Sequence, residues 1–136
     1  MFAIDLGPGG STGNDAGDAD SGPNRLQNTP VFPSDVVVNT SGTTADIAIT
    51  YNVDTDPLNG PYPLTIEFFL SDATGNDAFF IGSDTFTEAD FTAGTKTIAL
   101  IGISIDGLPL DSLVATATDS DGNTSELSGP AGLDIV

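Results

Sequence analysis

Cysteine, histidine and tryptophan are all absent from this chain of 136 residues. Without cysteine there is no disulfide framework, no thiolate metal ligand and no cysteine nucleophile. Without histidine the usual general base, the usual zinc ligand and every Ser-His triad are missing.

Paired carboxylates could still hydrolyse glycosides. A sugar cleft is usually lined by tryptophan or tyrosine, however, and this chain has no tryptophan, two tyrosines and the length for only one sandwich. We therefore predict that the chain is not an enzyme.

Basic residues are nearly absent as well. Arg25 and Lys96 stand against 20 acidic residues, which gives a formal net charge of -18. Such a chain has no basic patch to displace the counterions of phosphate groups, so we exclude nucleic acid as a partner. Anionic membrane surfaces are disfavoured for the same reason. No apolar run approaches the roughly 20 residues of a membrane-spanning helix, so membrane insertion is not expected.

The acidic residues are strongly biased towards aspartate. Glutamate occurs only at positions 67, 88 and 126, and the other 17 acids are aspartate. Short carboxylates in turns suit the oxygen cages that bind hard cations. A bound divalent ion also relieves the self-repulsion of a highly charged fold. We predict Ca²⁺ in at least one site. A solvated acidic surface, as in proteins of saline habitats, is the alternative, and both can hold together.

The length fits one domain preceded by a short segment. Residues 7–24 are rich in Gly, Asp, Asn, Ser and Pro with no apolar periodicity, a composition typical of linkers. We predict a calcium-binding linker over 1–33, in which 1–5 end a strand. A β-sandwich domain follows over 34–136. Residues 129–132 are expected to be a linker towards a following module.

Short runs of β-branched and aromatic residues follow residue 34, with turn residues between them. Their alternation and spacing favour an all-β fold, an immunoglobulin-like antiparallel β-sandwich of about seven strands, with a barrel as the less favoured alternative. The predicted strands are 35–39, 45–53, 64–70, 79–85, 97–103, 113–118 and 125–127. The predicted core comprises Ile47, Ile49, Tyr51, Ile66, Phe68, Phe80, Ile98, Leu100, Val114 and Ala117. Phe69 and Phe79 are expected to be packing residues.

The first candidate metal site lies in the predicted linker. Asn14, Asp15, Asp18, Asp20 and Asn24 place oxygen donors at short intervals around Gly22. This spacing is similar to that of EF-hand loops, where a glycine permits the sharp turn. No helix is predicted on either side and no glutamate follows at the twelfth position, so it is not an EF-hand. The alternative is a flexible acidic linker.

Two further candidate sites lie in predicted loops. Asp119, Asp121 and Glu126 occupy the predicted hairpin between the last two strands. There Asp121 and Gly122 could instead simply form a tight turn capped by Asp119. Asp54 and Asp56 form a weaker cluster after the second strand. In an immunoglobulin-like sandwich these loops and the incoming chain meet at one end, so we predict that calcium stiffens this junction. The loop 72–77 is a lesser candidate at the opposite end.

Two stretches of the sequence resemble a known arrangement in large bacterial surface proteins. Residues 4–7 (IDLG), 14–24 (NDAGDADSGPN) and 26–28 (LQN) resemble a segment that follows a right-handed parallel β-helix region. Residues 65–69 (TIEFF) and 115–128 (ATATDSDGNTSELS) resemble the immunoglobulin-like module that comes next. The resemblance implies an extracellular, multidomain and adhesive protein of the bacterial cell surface. It also implies that residues 1–6, at the start of the 1–33 segment, are a remnant of the upstream module. It carries no assigned activity and no functional residues.

Two functions follow as hypotheses. The first is a calcium-binding structural or adhesive module, whose partners are neighbouring modules of the same chain, surface glycans or another cell-surface protein. The alternative is a calcium-dependent carbohydrate-binding module. That function requires an exposed aromatic platform, for which Tyr51, Tyr62 and the phenylalanines are the candidates.

Overall fold

The computed structural model describes residues 13–19, 22–73 and 77–136. The predicted strand end at 1–5 and the candidate ligand Asp20 lie outside these residues. The described chain is all-β, as predicted, with very little helix. Its seven strands are β1 (Val36–Ser41), β2 (Thr44–Tyr51), β3 (Leu64–Ser71), β4 (Ala78–Phe86), β5 (Lys96–Ser104), β6 (Ser112–Thr118) and β7 (Ala131–Ile135). The helices are two 3₁₀ turns, Ala16–Asp18 and Pro23–Leu26, and one α-helix, α1 (Glu88–Ala93).

All seven strands belong to one mixed sheet with the order β4-β3-β6-β7-β1-β2-β5. Neighbouring strands are antiparallel except for β1 and β7, which run parallel. The edge strands β4 and β5 contact each other, so the sheet curls until it nearly closes. The all-β prediction is confirmed, and the sheet is nearly barrel-shaped.

The alternating pattern of β2 and β3 builds most of the core. In β2, Ala45, Ile47, Ile49 and Tyr51 are fully buried, because every second side chain of a strand points to the same face. Tyr51 meets Phe68 of β3 edge to face, with the ring centroids 5.5 Å apart. Burying one such side chain stabilises the fold by about 1.5–3 kcal/mol. Of the predicted core residues, seven are buried: Ile47, Ile49, Tyr51, Ile66, Phe68, Val114 and Ala117.

Phe80 was wrongly predicted to lie in the core. Its side chain is 57% exposed, because the pairing of β3 with β4 shifts register between Phe68 and Phe69. This bulge reverses the expected alternation along β4. Phe80 therefore lies beside Phe69, with ring centroids 5.8 Å apart, and Ile81 is buried instead. Two more predicted core residues, Ile98 and Leu100 on the edge strand β5, are only partly buried.

The end of the chain differs from the prediction. Residues 125–127 are not a strand, and the predicted linker at 129–132 leads directly into β7. Ser125 and Ser128 run beside β6, where their hydroxyl oxygens accept the backbone N–H groups of Ala117 and Ala115, each at 2.9 Å. Side chains thus replace part of the regular ladder here. The segment follows β6 irregularly before β7 begins between β6 and β1.

A polar latch joins the two edge strands, which share few contacts otherwise. We define this latch as Asp84 of β4, Asp90 of α1 and Lys96 of β5. The Lys96 ammonium lies 3.0 Å from Asp84 Oδ2 and 3.2 Å from Asp90 Oδ2. It also donates to the Thr85 carbonyl at 2.6 Å. A capping box between Thr87 and Asp90 begins α1 and positions its carboxylate.

Replacing Lys96 with methionine is expected to destabilise the fold by about 1 kcal/mol, because two neighbouring carboxylates lose their shared cation. The loss should depend on pH. Partial burial acts to raise the pKa of Asp90, but hydrogen bonds from Thr87 and Lys96 outweigh it and lower this pKa. A carboxyl group with a lowered folded-state pKa stabilises above its ordinary pKa and stops doing so as pH falls through the lowered value. Denaturant unfolding should therefore give a lower free energy of unfolding for Lys96→Met than for the parent at neutral pH. This difference in free energy should disappear as the pH falls below about 4. A difference that stays constant to about pH 2 would contradict this role for the latch.

Candidate functional site

Three segments meet at one end of the sheet: residues 13–19 with 22–28, residues 52–62 and residues 119–124. We call this region the acidic pole. The first segment precedes β1, the second joins β2 to β3, and the third follows β6. Antiparallel strand order brings these connections to the same end. The pole thus gathers most of the candidate ligands that the sequence predicted in three separate clusters.

Asn28 joins the first two segments of the pole and is almost fully buried, with 1% of its surface exposed. Its amide nitrogen donates to the carbonyl oxygens of Asp15 and Asp54, both at 2.7 Å. Its amide oxygen accepts the backbone N–H of Asp15 at 3.1 Å. One side chain therefore satisfies three buried or half-buried backbone groups, and this arrangement fixes the entering chain against the loop after β2.

Gly17 forms the closest backbone contact between these segments. Its N–H donates to Asp54 Oδ2 at 3.1 Å. Its carbonyl accepts the N–H of Asp56 at 3.0 Å and the side-chain amide of Asn59 at 2.9 Å. Gly17 and Asp18 have φ angles of 66° and 60°, in the left-handed region that glycine enters at no steric cost. The turn therefore depends on glycine at position 17, where the sequence supplies it.

Asp18 lies at the centre of a buried polar chain, and only 4% of its surface is exposed. Its Oδ2 accepts the Thr55 hydroxyl at 3.0 Å. The same hydroxyl oxygen accepts the Gln27 side-chain amide at 2.7 Å. A buried carboxylate is costly unless it is hydrogen-bonded or lies near a cation. Within the first candidate cluster, Asp18 is therefore the residue that most needs hydrogen-bond donors or a cation beside it.

The third segment forms a tight turn around Asp119, which is also buried. Asp119 Oδ1 accepts the backbone N–H groups of Asp121 and Asn123, both at 2.9 Å. Its Oδ2 accepts the side-chain amide of Asn123 at 2.8 Å. These hydrogen bonds correspond to the turn-capping alternative for this loop. Both oxygens of Asp119 thus have partners within the turn itself.

Hydrogen bonds from Ser120 and Thr124 connect this turn to the rest of the acidic pole. The N–H of Ser120 donates to the Pro61 carbonyl at 3.1 Å. The N–H of Thr124 donates to the side-chain oxygen of Asn24 at 3.0 Å. Asn24 itself has a φ angle of 50°, a conformation that asparagine tolerates better than most residues. Asn24 thus acts as an anchor between the entering chain and the turn.

Negative charge is concentrated at the pole, and its effect is evident at Tyr62. Burial and the charges of Asp56, Glu88, Asp18 and Asp54, in that order, raise the pKa of Tyr62. The neutral phenol donates its proton to the Thr55 carbonyl at 2.6 Å. Four carboxylates acting on one hydroxyl group create a potential that attracts cations.

The donor set at the pole consists of hard oxygens, the ligands that calcium prefers. Asp54 and Asp56 each accept a backbone N–H through one oxygen. The other oxygen of each accepts no hydrogen bond from the described residues. Within residues 13–19, 22–73 and 77–136, no three acidic side chains form a group ready to hold a metal. A calcium ion here would need carbonyl, amide or water oxygens in addition, as EF-hand loops do.

The remaining predicted ligands lie around these contacts. Asn14 exchanges hydrogen bonds with Thr29 through both atoms of its side-chain amide, at 3.0 and 2.8 Å. Asp121 is exposed at the tip of the turn, and Glu126 is buried beside β6 with 3% exposure. The lesser candidate loop, 72–77, is described only at Asp72, Ala73 and Asp77.

The predicted aromatic platform does not include Tyr51. Tyr51 is fully buried, and its hydroxyl donates to Asp84 at 2.6 Å. Tyr62 is half-buried with its hydroxyl turned to Thr55. Among the residues that the structure describes, the exposed aromatic side chains are Phe79 and Phe80, with 45% and 57% exposure. The expectation of a Tyr51 platform is therefore wrong, because the alternation of β2 turns this residue into the core.

Several residues of the pole were not identified from the sequence as functional candidates: Gln27, Asn28, Thr55 and Asn59. They are neutral, so a search for carboxylate clusters passes over them. Gln27 and Asn28 lie within the LQN motif of the resemblance, which was the available signal. Thr55 lies between the two candidate ligands Asp54 and Asp56, and its side chain is turned inward.

The chain matches no protein-family model, and no curated protein is significantly similar to it. The part of the chain that the structure describes contains no helix with the length and apolar character needed to cross a membrane. The case for a function therefore depends on the residues and contacts of the acidic pole.

Proposed function

We propose that this chain is a calcium-binding structural module of a bacterial extracellular multidomain protein. In this proposal calcium stiffens the junction at which the chain enters the module. The module then holds adhesive neighbours at a fixed orientation and has no catalytic role. Its partners are the adjacent modules of the same chain, with surface glycans or another surface protein as the target of adhesion.

The single observation that carries the proposal is the docking of residues 13–19 and 22–28 onto the loop after β2. Their composition is that of a linker, and an unattached linker would leave the preceding module free to reorient. Instead Asn28 and Gly17 attach this segment to residues 54–59 by short hydrogen bonds. A fixed junction is what a rigid spacer requires.

Charge supports calcium as the agent that completes this junction. The chain carries a net charge of -18, and the pole brings Asp15, Asp18, Asp54 and Asp56 onto connected backbone segments. Their mutual repulsion opposes docking, whereas a divalent cation among them favours it. The hairpin site at Asp119 and Asp121 stays a prediction, since the turn uses both oxygens of Asp119 internally.

An immunoglobulin-like arrangement is part of the proposal, and the strand order supports it. Strands β1, β2 and β5 are neighbours on one side of the sheet, and β4, β3, β6 and β7 are neighbours on the other. This order corresponds to the A-B-E and C-F-G groupings of immunoglobulin domains, with β4 added beside the C strand. Modules of this architecture carry their loops at two ends, which suits end-to-end stacking in a surface protein.

Titration calorimetry with calcium added to chelated protein tests the proposal directly. We expect binding with a Kd of about 0.1–1 mM, the range of extracellular calcium modules. Replacing Asp54 and Asp56 together with asparagine should weaken binding by about tenfold or more, since ligand charge sets affinity. Asparagine keeps an oxygen that accepts the N–H groups of Gly17 and Leu58, so the loop can retain its hydrogen bonds.

The matched control replaces Asp106 and Asp111 with asparagine. These two acids are exposed in the loop between β5 and β6, away from the pole, and the charge change is the same. Calcium affinity should remain within about twofold of the parent, because screening leaves little interaction between distant exposed charges. Absence of calcium binding to the parent protein, or equal weakening in both double variants, would refute the proposal.

A further inference from the structure

A shallow groove lies beside the acidic pole, between the loop that leads into β3 and the start of α1. Its volume is about 340 Å³, and it is lined by Tyr62, Pro63, Thr87 and Glu88. Grooves of this size accommodate a small ligand or one long side chain. The lining combines an aromatic ring, a proline and one carboxylate, a combination that neither the calcium site nor the core uses.

The aromatic wall of the groove is held in place from behind. The Tyr62 ring packs against Phe86 and Phe91, with centroid distances of 6.4 Å to each. Its hydroxyl is anchored to the Thr55 carbonyl at 2.6 Å. A ring fixed in this way loses little conformational entropy when a ligand binds to it. Tyr62 is therefore preorganised as a contact surface.

The charge around the groove is negative. Glu88 is exposed on its wall, and Asp56, Asp18 and Asp54 act on the hydroxyl group of the same tyrosine. Among the described side chains, the nearby cation is Lys96, which is engaged by Asp84 and Asp90. A ligand for this groove must therefore bring its own positive charge together with apolar surface.

We propose that this groove binds an arginine or lysine side chain of a basic polypeptide partner. The methylene groups of such a side chain pack against Tyr62 and Pro63, and its charged head reaches the Glu88 carboxylate. A cation beside an aromatic ring at an exposed site strengthens binding about two- to fivefold, and an exposed ion pair adds a similar factor. One groove gives weak binding, which a partner with several basic residues would strengthen through multivalency.

Two-dimensional NMR of ¹⁵N-labelled protein tests this assignment, with EDTA present so that calcium does not compete for the pole. The probe is a blocked Gly-Arg-Gly peptide, and its neutral counterpart carries citrulline in place of arginine. We expect the arginine peptide to shift the amide signals of Tyr62, Thr87 and Glu88, and the citrulline peptide to shift them much less. Glu88→Gln should weaken the arginine peptide about threefold.

The matched control is Glu67→Gln, which removes the same charge from the outer face of β3 and should leave peptide affinity unchanged. The assignment is overturned if the citrulline peptide binds equally well. Equal weakening by Glu67→Gln would also overturn it, because only the overall charge would then matter. A neutral oligosaccharide that shifts the same three amide signals more strongly would assign the groove to sugar instead. Each of these results leaves the calcium titration unaffected, so the two proposals fail separately.

Discussion

Removing calcium with EDTA is expected to lower the melting temperature of this protein by about 10 °C. An ion that binds only the folded state at 100 times its Kd contributes about 2.7 kcal/mol. For a domain of this size, each kcal/mol corresponds to about 3–5 °C. The effect is large because docking of residues 13–28 brings several carboxylates onto connected backbone. Differential scanning calorimetry in about 10 mM calcium and in EDTA measures it, given a Kd near 0.1 mM.

Sodium chloride at matched ionic strength is the control that separates calcium binding from general screening. If the acidity reflects a saline habitat, the sodium salt should stabilise the protein as well as calcium does. If calcium binds at the pole, sodium should restore only a small part of the lost stability. Unchanged melting in EDTA would contradict the calcium proposal. Equal stabilisation by both salts would favour the passive acidic surface.

Replacing Asn28 with alanine is expected to destabilise the fold by about 2–4 kcal/mol. The change removes three hydrogen bonds and leaves the carbonyls of Asp15 and Asp54 without this donor. A buried polar group that loses its partner costs about 1–3 kcal/mol. Denaturant unfolding measures the total loss. Hydrogen exchange should show the effect first at the amide of Asp15, which donates to Asn28.

Asn39→Ala provides the matched control, because Asn39 is an exposed residue of β1 and surface substitutions usually change stability by less than about 0.5 kcal/mol. The comparison also tests whether the docked segment belongs to the cooperative unit. A small loss for Asn28→Ala, similar to that of the control, would mean that residues 13–28 detach at little cost. The proposed rigid junction would then lose its physical basis.

The strands were predictable where side-chain alternation was complete. β2 and β3 place their apolar residues at every second position, so their inward faces could be assigned from sequence alone. β4 could not be assigned in this way, because Phe68 pairs with Gly82 and Phe69 with Phe80, and the extra residue, Ile81, reverses the facing of Phe80. Gly82 is consistent with a bulge, but a glycine alone does not fix which residue is left unpaired. A register shift depends on how two strands meet, which a single-strand pattern does not contain.

The carboxylates of the acidic pole could be predicted from the sequence, but the hydrogen bonds that bring them together could not. Asp15, Asp18, Asp54 and Asp56 could be identified because aspartates in turns form a visible pattern. The neutral groups that bring them together, above all Asn28 and Thr55, are common residues with no pattern of their own. Their roles depend on burial, which arises only when segments distant in sequence come together. The fold therefore had to be known before the pole could be described.

The position of β7 has a consequence for how this chain is made. The last strand lies in the middle of the sheet, parallel to β1 on one side and antiparallel to β6 on the other. On the ribosome, β1 and β2 emerge early but lack this central neighbour until β7 has been synthesised. Such distant pairing slows folding and leaves strand edges open in the meantime. The abundance of negative charge then has a second benefit, because repulsion between nascent chains discourages them from associating before the sheet is complete.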